Sequence, residues 1–171
     1  VSFEGRFTRF QEGRISPAPI QKPLPIWVAG RKEAAMKRAA RYGDVWMPYM
    51  YSPQQLEQSR ETIRRLAQAE GRDPSSIRTA IYLFTTVYDD EQQARRVAAE
   101  TVGRNYQQDF NRLVDRYLLA GTPEQCRRRL AEYVAAGADR AILQLACPPE
   151  DYDTMLERVA AEIMPAFRRG A

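Results

Sequence analysis

Short apolar runs alternate with longer amphipathic segments along most of this chain. In residues 25–48 an apolar run (26–28) precedes a glycine turn, residues 31–42 have helical composition, and Val45–Met47 is apolar again. This order predicts a βαβ unit, whose crossover is nearly always right-handed and whose strands are parallel. Gly43 follows the predicted helix, where a glycine commonly ends a helix in a left-handed conformation.

The same alternation continues towards the carboxyl terminus. Residues 79–88 are rich in β-branched and aromatic side chains and predict a buried strand, and residues 141–146 predict another. Ser52-Pro53 and Thr122-Pro123 are start signals for two helices. Further helices are predicted over residues 91–103, 106–119 and 150–168. Strands and helices in this order predict an α/β fold with a parallel sheet.

The 171 residues predict a single domain. Residues 1–14 contain three phenylalanines and a turn-like Glu12-Gly13, which predicts a β-hairpin or a pair of short edge strands. Four prolines between residues 17 and 25 predict an extended connector. The domain therefore divides into a hairpin and proline-rich connector over residues 1–25 and βα units over residues 26–171.

Composition argues against several classes of function. The net charge of +4 comes from Lys and Arg scattered among Asp and Glu, so we expect no nucleic-acid partner. No apolar run approaches the length of a membrane span, and no signal-peptide pattern is present. The chain has no histidine, the usual general base and zinc ligand, and no metal site is predicted. Cys126 and Cys147 lack metal spacing and suit free thiols in a cytoplasmic protein.

The turn formed by Ala29, Gly30, Arg31 and Lys32 is the best candidate for a binding site. A turn from a strand into a helix presents free backbone N–H groups at the positive end of the helix dipole. Arg31 and Lys32 add positive charge, so the turn predicts an anion site. The alternative is a solvated turn with no ligand.

Five segments carry a resemblance to a known family. They read FEGRFTRF, ISPAPIQKPLPIWVAGRKEAAMKRAARYGDVWMP, GRDP, AGTPEQCRRRLAEYVAAGADRAIL and EIMPAFRR. Their order and spacing resemble the C-terminal half of the luciferase-like monooxygenase family. The resemblance implies the last four βα units of a TIM (β/α)8 barrel of the bacterial-luciferase-like type, with an N-terminal β-hairpin insertion. The fifth to eighth barrel strands would then be residues 26–29, 45–47, 79–87 and 141–145.

The resemblance also implies a function. Members are flavin- or deazaflavin-dependent oxidoreductases and monooxygenases that act on small organic substrates, so the implied cofactor is FMN or a deazaflavin coenzyme. The cofactor phosphate would bind at Ala29, Gly30, Arg31 and Lys32. Many relatives have Gly-Gly and a small or hydroxylated residue there, whereas Arg31 of this chain can either pair with the phosphate or crowd it. The substrate and cofactor pocket would include Trp46, Met47, Tyr49 and Gln144.

Family members are about twice as long as this chain, which begins at Val1. The resemblance implies that their catalytic residues lie largely in the other half, so none is predicted here. Four strands of a barrel leave open edges. We therefore expect either a fragment of a longer enzyme or a barrel completed by the missing N-terminal half or by a second copy, as in a homo-oligomer. The alternative is a non-catalytic α/β half-barrel module that dimerises through its open edges.

Overall fold

The computed structural model describes residues 1–167 and places five strands in one parallel sheet. The sheet strands are β3 (Trp27–Ala29), β4 (Val45–Met47), β5 (Arg78–Val87), β6 (Leu119–Gly121) and β7 (Arg140–Leu145). Two shorter strands, β1 (Phe3–Glu4) and β2 (Arg9–Phe10), pair antiparallel with each other. The helices are α1 (Glu33–Tyr42), α2 (Pro53–Ala69), α3 (Glu91–Tyr106), α4 (Val114–Tyr117), α5 (Pro123–Ala135) and α6 (Tyr152–Arg158).

The sheet is open, with β3 and β7 at its two lateral edges, and the short β6 also pairs with β5 alone. Strand β4 pairs with β3 and β5, and β7 pairs along most of β5. The N–H of Tyr82 donates to the Pro48 carbonyl after β4, and the N–H of Tyr88 donates to the Gly121 carbonyl of β6. Since residues an even number apart direct their N–H groups to the same side of a strand, β6 lies on the β4 side of β5, beyond the end of β4.

Two apolar clusters hold the layers together. The larger lies between the sheet and helices α1, α2, α5 and α6, with Trp46, Ile81, Leu83 and Tyr133 among its fully buried side chains. The smaller lies where α3 and α4 pack near the carboxyl end of β5, and it includes Phe110. The larger cluster packs the strands against the helices, and the smaller one covers part of the sheet near the carboxyl end of β5.

The expected α/β class is confirmed, as is the parallel pairing of the βαβ unit. Each of the four strands that the sequence predicted lies within about two residues of the expected limits. Ser52 and Thr122 both form capping boxes with the glutamine three residues on, as predicted. The antiparallel pairing of residues 3–4 with 9–10 agrees with a hairpin.

Two helix predictions differ from the structure. Residues 106–119 were expected to be helical, but only Val114–Tyr117 is helical there, and β6 follows it. The last helix was expected over residues 150–168. It is α-helical over Tyr152–Arg158, continues as a π-helical and then a 3-10 segment to Phe167, and its expected last residue lies outside the described residues.

Within the described residues, no helix combines the length and the apolar character needed to cross a membrane.

Gly43 ends α1 for a different reason from the one expected. Its φ of −85° is extended rather than left-handed. A Cβ at this position would lie 3.0 Å from the Ala39 carbonyl oxygen and 3.1 Å from Cγ2 of Val28. Close packing of the helix end against β3 therefore favours glycine, because a side chain here would push its neighbours apart by a few tenths of an ångström.

Arg72 ties the end of α1 to the segment that follows α2. Its guanidinium donates to the carbonyls of Ala39 at 3.4 Å, Ala40 at 2.9 Å and Gly43 at 3.0 Å. We expect Arg72→Ala to lower the free energy of unfolding by about 2 kcal/mol, because hydrogen bonds from charged donors contribute about 1.5–3 kcal/mol. Urea unfolding measures the loss. Arg38→Ala, an exposed change on α1, is the control, and an equal loss in both variants would contradict the assignment.

Candidate functional site

Backbone geometry fixes the turn between β3 and α1. Gly30 has a φ of +120°, where any residue with a side chain is strained. A Cβ at Gly30 would lie 2.8 Å from the Cβ of Ala35. The N–H of Gly30 donates to the Met47 carbonyl at 3.3 Å. The turn therefore needs glycine at this position and is attached directly to the end of β4.

Two core side chains hold the carbonyl groups of the turn. Nε1 of Trp46 donates to the Gly30 carbonyl at 2.8 Å, and the Tyr51 hydroxyl donates to the Arg31 carbonyl at 3.5 Å. The Tyr51 hydroxyl also lies 2.8 Å from the hydroxyl of Ser59 on α2. The two rings pack edge to face, with 5.9 Å between their centres. The carbonyls of the turn are thus bonded to the core.

The N–H groups of the same turn remain available. Those of residues 31–34 make no hydrogen bond within the described part of the chain, and Lys32, at the N-cap of α1, provides no side-chain cap. The first N–H groups of a helix have no partner inside the helix, and its dipole makes this end positive. The turn therefore offers several convergent donors to one anionic group such as a phosphate.

Arg31 is placed to add charge to these donors. One guanidinium nitrogen donates to the Met50 carbonyl at 3.2 Å, and the guanidinium lies 5.7 Å from the centre of the Tyr49 ring. These contacts direct Arg31 along the carboxyl edge of the sheet and leave its other nitrogens without a partner among the described residues. Lys32 is exposed beside it.

Glu33 is the one acidic residue in the first turn of α1. Its carboxylate lies 2.8 Å from Nζ of Lys37, one turn further along the helix. The hydrogen bond and charge of Lys37 lower the pKa of Glu33 below its usual value. The carboxylate is thus ionised but paired, which reduces its repulsion of an anion at the turn.

An open sheet face adjoins the turn. Side chains alternate along each strand, and one set packs against the helices while the other faces away from them. On β5, Ile81 and Leu83 belong to the larger cluster, whereas the even-numbered Tyr82 and Phe84 are only half-buried, and Phe84 packs against the smaller cluster from the open face. The exposed or half-buried residues of this face are Trp27, Ala29, Met47, Tyr82, Phe84, Ile142 and Gln144.

Aromatic rings line the carboxyl end of the open face. Tyr82 and Phe84 pack edge to face at 5.4 Å, and Phe84 packs on Tyr106 at 6.0 Å. Burial, and then the neighbouring Tyr49 and Tyr82, raise the pKa of Tyr106. The hydroxyl of Tyr82 donates to Oε1 of Gln144 at 3.1 Å. The face is thus an apolar surface with a small polar patch.

The structure brings most of the predicted site residues together. Ala29, Gly30, Arg31 and Lys32 form the turn, Met47 and Gln144 lie on the open face, and Tyr49 bridges to Tyr82 at its carboxyl end.

Trp46 is the exception, because its side chain is 0% exposed and lies in the helix-facing core. It does not line the open face; it supports the Gly30 carbonyl instead. A three-residue strand is too short for its pattern to show which side faces the helices.

Sequence reasoning missed Tyr51, Tyr82 and Tyr106. The alternation along residues 79–87 could have placed Tyr82 opposite the core residues Ile81 and Leu83. No sequence signal marks Tyr51 or Tyr106. Both reach the site through contacts between elements distant in sequence.

Comparisons with known proteins find similar sequences and similar folds. An FMNH2-dependent dimethylsulfone monooxygenase of Pseudomonas putida is 31% identical over 104 residues, which cover 60% of this chain and 28% of that enzyme. The structure of the monooxygenase RslO1 from Streptomyces bottropensis matches 98% of this chain and 56% of its own, with a TM-score of 0.76 and 26% identity. An F420-dependent secondary alcohol dehydrogenase matches 99% of this chain and 56% of its own, with a TM-score of 0.78 and 18% identity.

The curated monooxygenase depends on FMNH2, and the dehydrogenase of similar fold depends on F420. The chain spans just over half the length of these two solved relatives, and its match covers a smaller share of the curated one. The sequence model of the luciferase-like monooxygenase family matches residues 1–140. This chain therefore belongs to the luciferase-like monooxygenase family.

Proposed function

We propose that this chain supplies the cofactor-phosphate end of the site in a flavin- or deazaflavin-dependent oxidoreductase. The observation that carries the proposal is the set of N–H groups over residues 31–34, which lack partners within the described chain beside the Arg31 guanidinium. FMN and F420 both carry a phosphate group, so either would suit such donors. Bound here, the cofactor would supply the redox step, either with oxygen or by hydride transfer.

The residues of the turn fit this role. Gly30 lets the start of α1 pack closely on the turn, since a Cβ at Gly30 would lie 2.8 Å from the Cβ of Ala35. Trp46 and Tyr51 keep the carbonyls of Gly30 and Arg31 bonded to the core. A phosphate would therefore meet donors rather than acceptors at this turn, with Arg31 and Lys32 balancing its charge.

The open face would hold the remainder of the cofactor and a small organic substrate. Its rings would exclude water from one side of a bound ligand, and Tyr82 with Gln144 offers a hydrogen-bonding pair at its centre. In this proposal Met47 and Tyr49 contact the same ligands from the neighbouring strand.

The rest of the barrel would come from outside this chain. Within the described residues, β3 and β7 each pair on one side only. We propose that a preceding N-terminal half or a second copy of the chain covers these edges. In this scheme residues 3–10 form a hairpin inserted before the fifth barrel strand.

Cofactor titration tests the proposal. We expect FMN or F420 to bind weakly but saturably, as followed by cofactor fluorescence. Arg31→Gln should weaken binding about ten-fold, since a charge-assisted hydrogen bond contributes about 1.5–3 kcal/mol. Arg38→Gln makes the same charge change on the exposed side of α1 and should bind like the unmodified chain.

One structural observation favours a second candidate function. Two open strand edges and an exposed apolar face are also what a non-catalytic half-barrel module would use to dimerise. Such a module would bind neither cofactor yet form dimers in sedimentation experiments. Absence of cofactor binding together with dimer formation would contradict the oxidoreductase proposal and favour the module. Separately, an equal loss of cofactor affinity in Arg31→Gln and Arg38→Gln would contradict the assignment of the phosphate site to the turn.

A further inference from the structure

A cavity lies near the amino-terminal ends of β5 and β7, whereas the Gly30 turn follows the carboxyl end of β3. The cavity measures about 420 Å³ and lies between α2 and these two strand ends. Its lining residues are Trp46, Arg60, Ile63, Arg64, Pro74, Ser75, Ile77, Arg78, Thr79 and Asp139. We propose that this cavity, named here the arginine groove, binds a small organic phosphate.

The charge of the groove supports an anionic ligand. Three arginines and one aspartate line it, which leaves an excess of two positive charges. The guanidinium groups of Arg64 and Arg78 make no hydrogen bond or ion pair with any other described residue, although each reaches the groove. Guanidinium groups bind phosphate oxygens in pairs of parallel hydrogen bonds. Two such groups are therefore available to one ligand.

The third arginine is fixed in place as part of the wall. Nη1 of Arg60 donates to the Ala136 carbonyl at the end of α5, at 3.2 Å. The side chain fills the space next to Gly137, where a Cβ would lie 1.6 Å from Nη1. Arg60 thus joins α2 to the end of α5 and supplies a fixed positive charge rather than a mobile one.

The one carboxylate of the groove is already bonded. Oδ2 of Asp139 accepts from the N–H of Thr79 at 2.8 Å, and the N–H of Asp139 donates to the Thr79 carbonyl at 2.8 Å. This reciprocal pair holds the start of β7 against β5. Asp139 therefore has a structural role that explains its presence among the arginines.

The groove also suits the organic part of the ligand. Ile63, Pro74 and Ile77 are apolar and lie beside the arginines. A cavity of about 420 Å³ is larger than a bare phosphate needs and falls within the roughly 300–1,000 Å³ of small-molecule sites. The combination favours a phosphate monoester with a small apolar group over an inorganic ion.

Isothermal titration with phenyl phosphate tests the proposal, and phenol is the neutral probe. We expect saturable binding of phenyl phosphate and at least a ten-fold loss of affinity in Arg64→Gln/Arg78→Gln. The control Arg65→Gln/Arg38→Gln removes the same charge from exposed positions outside the groove and should bind normally. Circular dichroism checks that each variant is folded.

A third variant separates this site from the proposed cofactor turn. Arg31→Gln should leave unchanged the phenyl phosphate binding that Arg64→Gln/Arg78→Gln weakens, since Arg31 follows the carboxyl end of β3 and is not part of the groove. Failure of FMN or F420 to bind would therefore leave this test intact. The proposal is overturned by the absence of saturable binding, by equal binding of phenol, by equal loss in the control variant, or by loss in Arg31→Gln alone.

Discussion

Trp46→Ala should lower the free energy of unfolding by about 3–5 kcal/mol, as replacing a buried aromatic residue by alanine typically does. The Trp46 side chain is fully buried and packs edge to face on Tyr51. The substitution also removes the donor that the Gly30 carbonyl uses. Chemical unfolding followed by far-UV circular dichroism measures the loss without relying on the fluorophore that is removed.

Trp27→Ala is the matched control. Trp27 lies on β3, beside β4, but it is 38% exposed on the open face, with the Arg140 guanidinium 5.8 Å from its ring centre. We expect Trp27→Ala to lower the free energy of unfolding by well under half as much as Trp46→Ala does. The reason is that apolar surface that stays exposed after folding contributes little to stability. Equal losses in the two variants would show that Trp46 is not the core residue described above.

Alkaline pH should destabilise the protein through two buried acids. Burial raises the pKa of the Cys126 thiol from 9.0 to about 12 and that of the Tyr133 hydroxyl from 10.0 to about 12. The Tyr133 hydroxyl donates to the Tyr51 carbonyl at 2.7 Å, a bond that only its protonated form can make. Both groups keep their protons in the folded chain after the unfolded chain has lost them.

The sign and size of the effect follow from proton linkage. The contribution of the two protonated groups to the free energy of unfolding is fully present below pH 9. It falls with rising pH, above pH 9.0 for Cys126 and above pH 10.0 for Tyr133, until each group titrates in the folded chain at about 12. Over these windows each group lowers the free energy of unfolding by about 1.4 kcal/mol per pH unit. Urea unfolding at a series of pH values from 8 to about 11 measures the slope.

Two substitutions assign that slope to its residues. Cys126→Ala should flatten the dependence from pH 9 upward, and Tyr133→Phe should flatten it from pH 10 upward. Tyr42→Phe changes a mostly exposed tyrosine and should leave the slope as it is. An unaltered slope in the Cys126→Ala/Tyr133→Phe double variant would contradict the assignment.

The strands and helix starts were predictable because their signals are local. Residues 79–87 form a long β-branched run that predicts a strand wherever it packs, and Ser52 and Thr122 cap helices through residues three positions away. The turn at Gly30 was predictable for the same reason, since a glycine between an apolar run and a helix marks a change in backbone direction.

The features that escaped prediction depend on contacts between distant residues. Strand β6 has three residues, too few for any periodicity, and exists because it pairs with the end of β5. The burial of Trp46 depends on which face of β4 meets the helices. The arginine groove joins residues from α2 with residues at the starts of β5 and β7, so no stretch of sequence contains it.

Strand β6 makes the carboxyl rim of the sheet uneven. On the β4 side of β5, strand β6 lies beyond Met47, the last residue of β4. Its three residues, at about 3.3 Å each, extend the sheet on that side by about 10 Å. The Gly30 turn ends β3, on the lower side of this step. Within this chain, a ligand seated at the turn would therefore have a wall towards β5 and β6 and none over β3. Because the strands differ in length, the β3 side is left to be closed by whatever covers that edge.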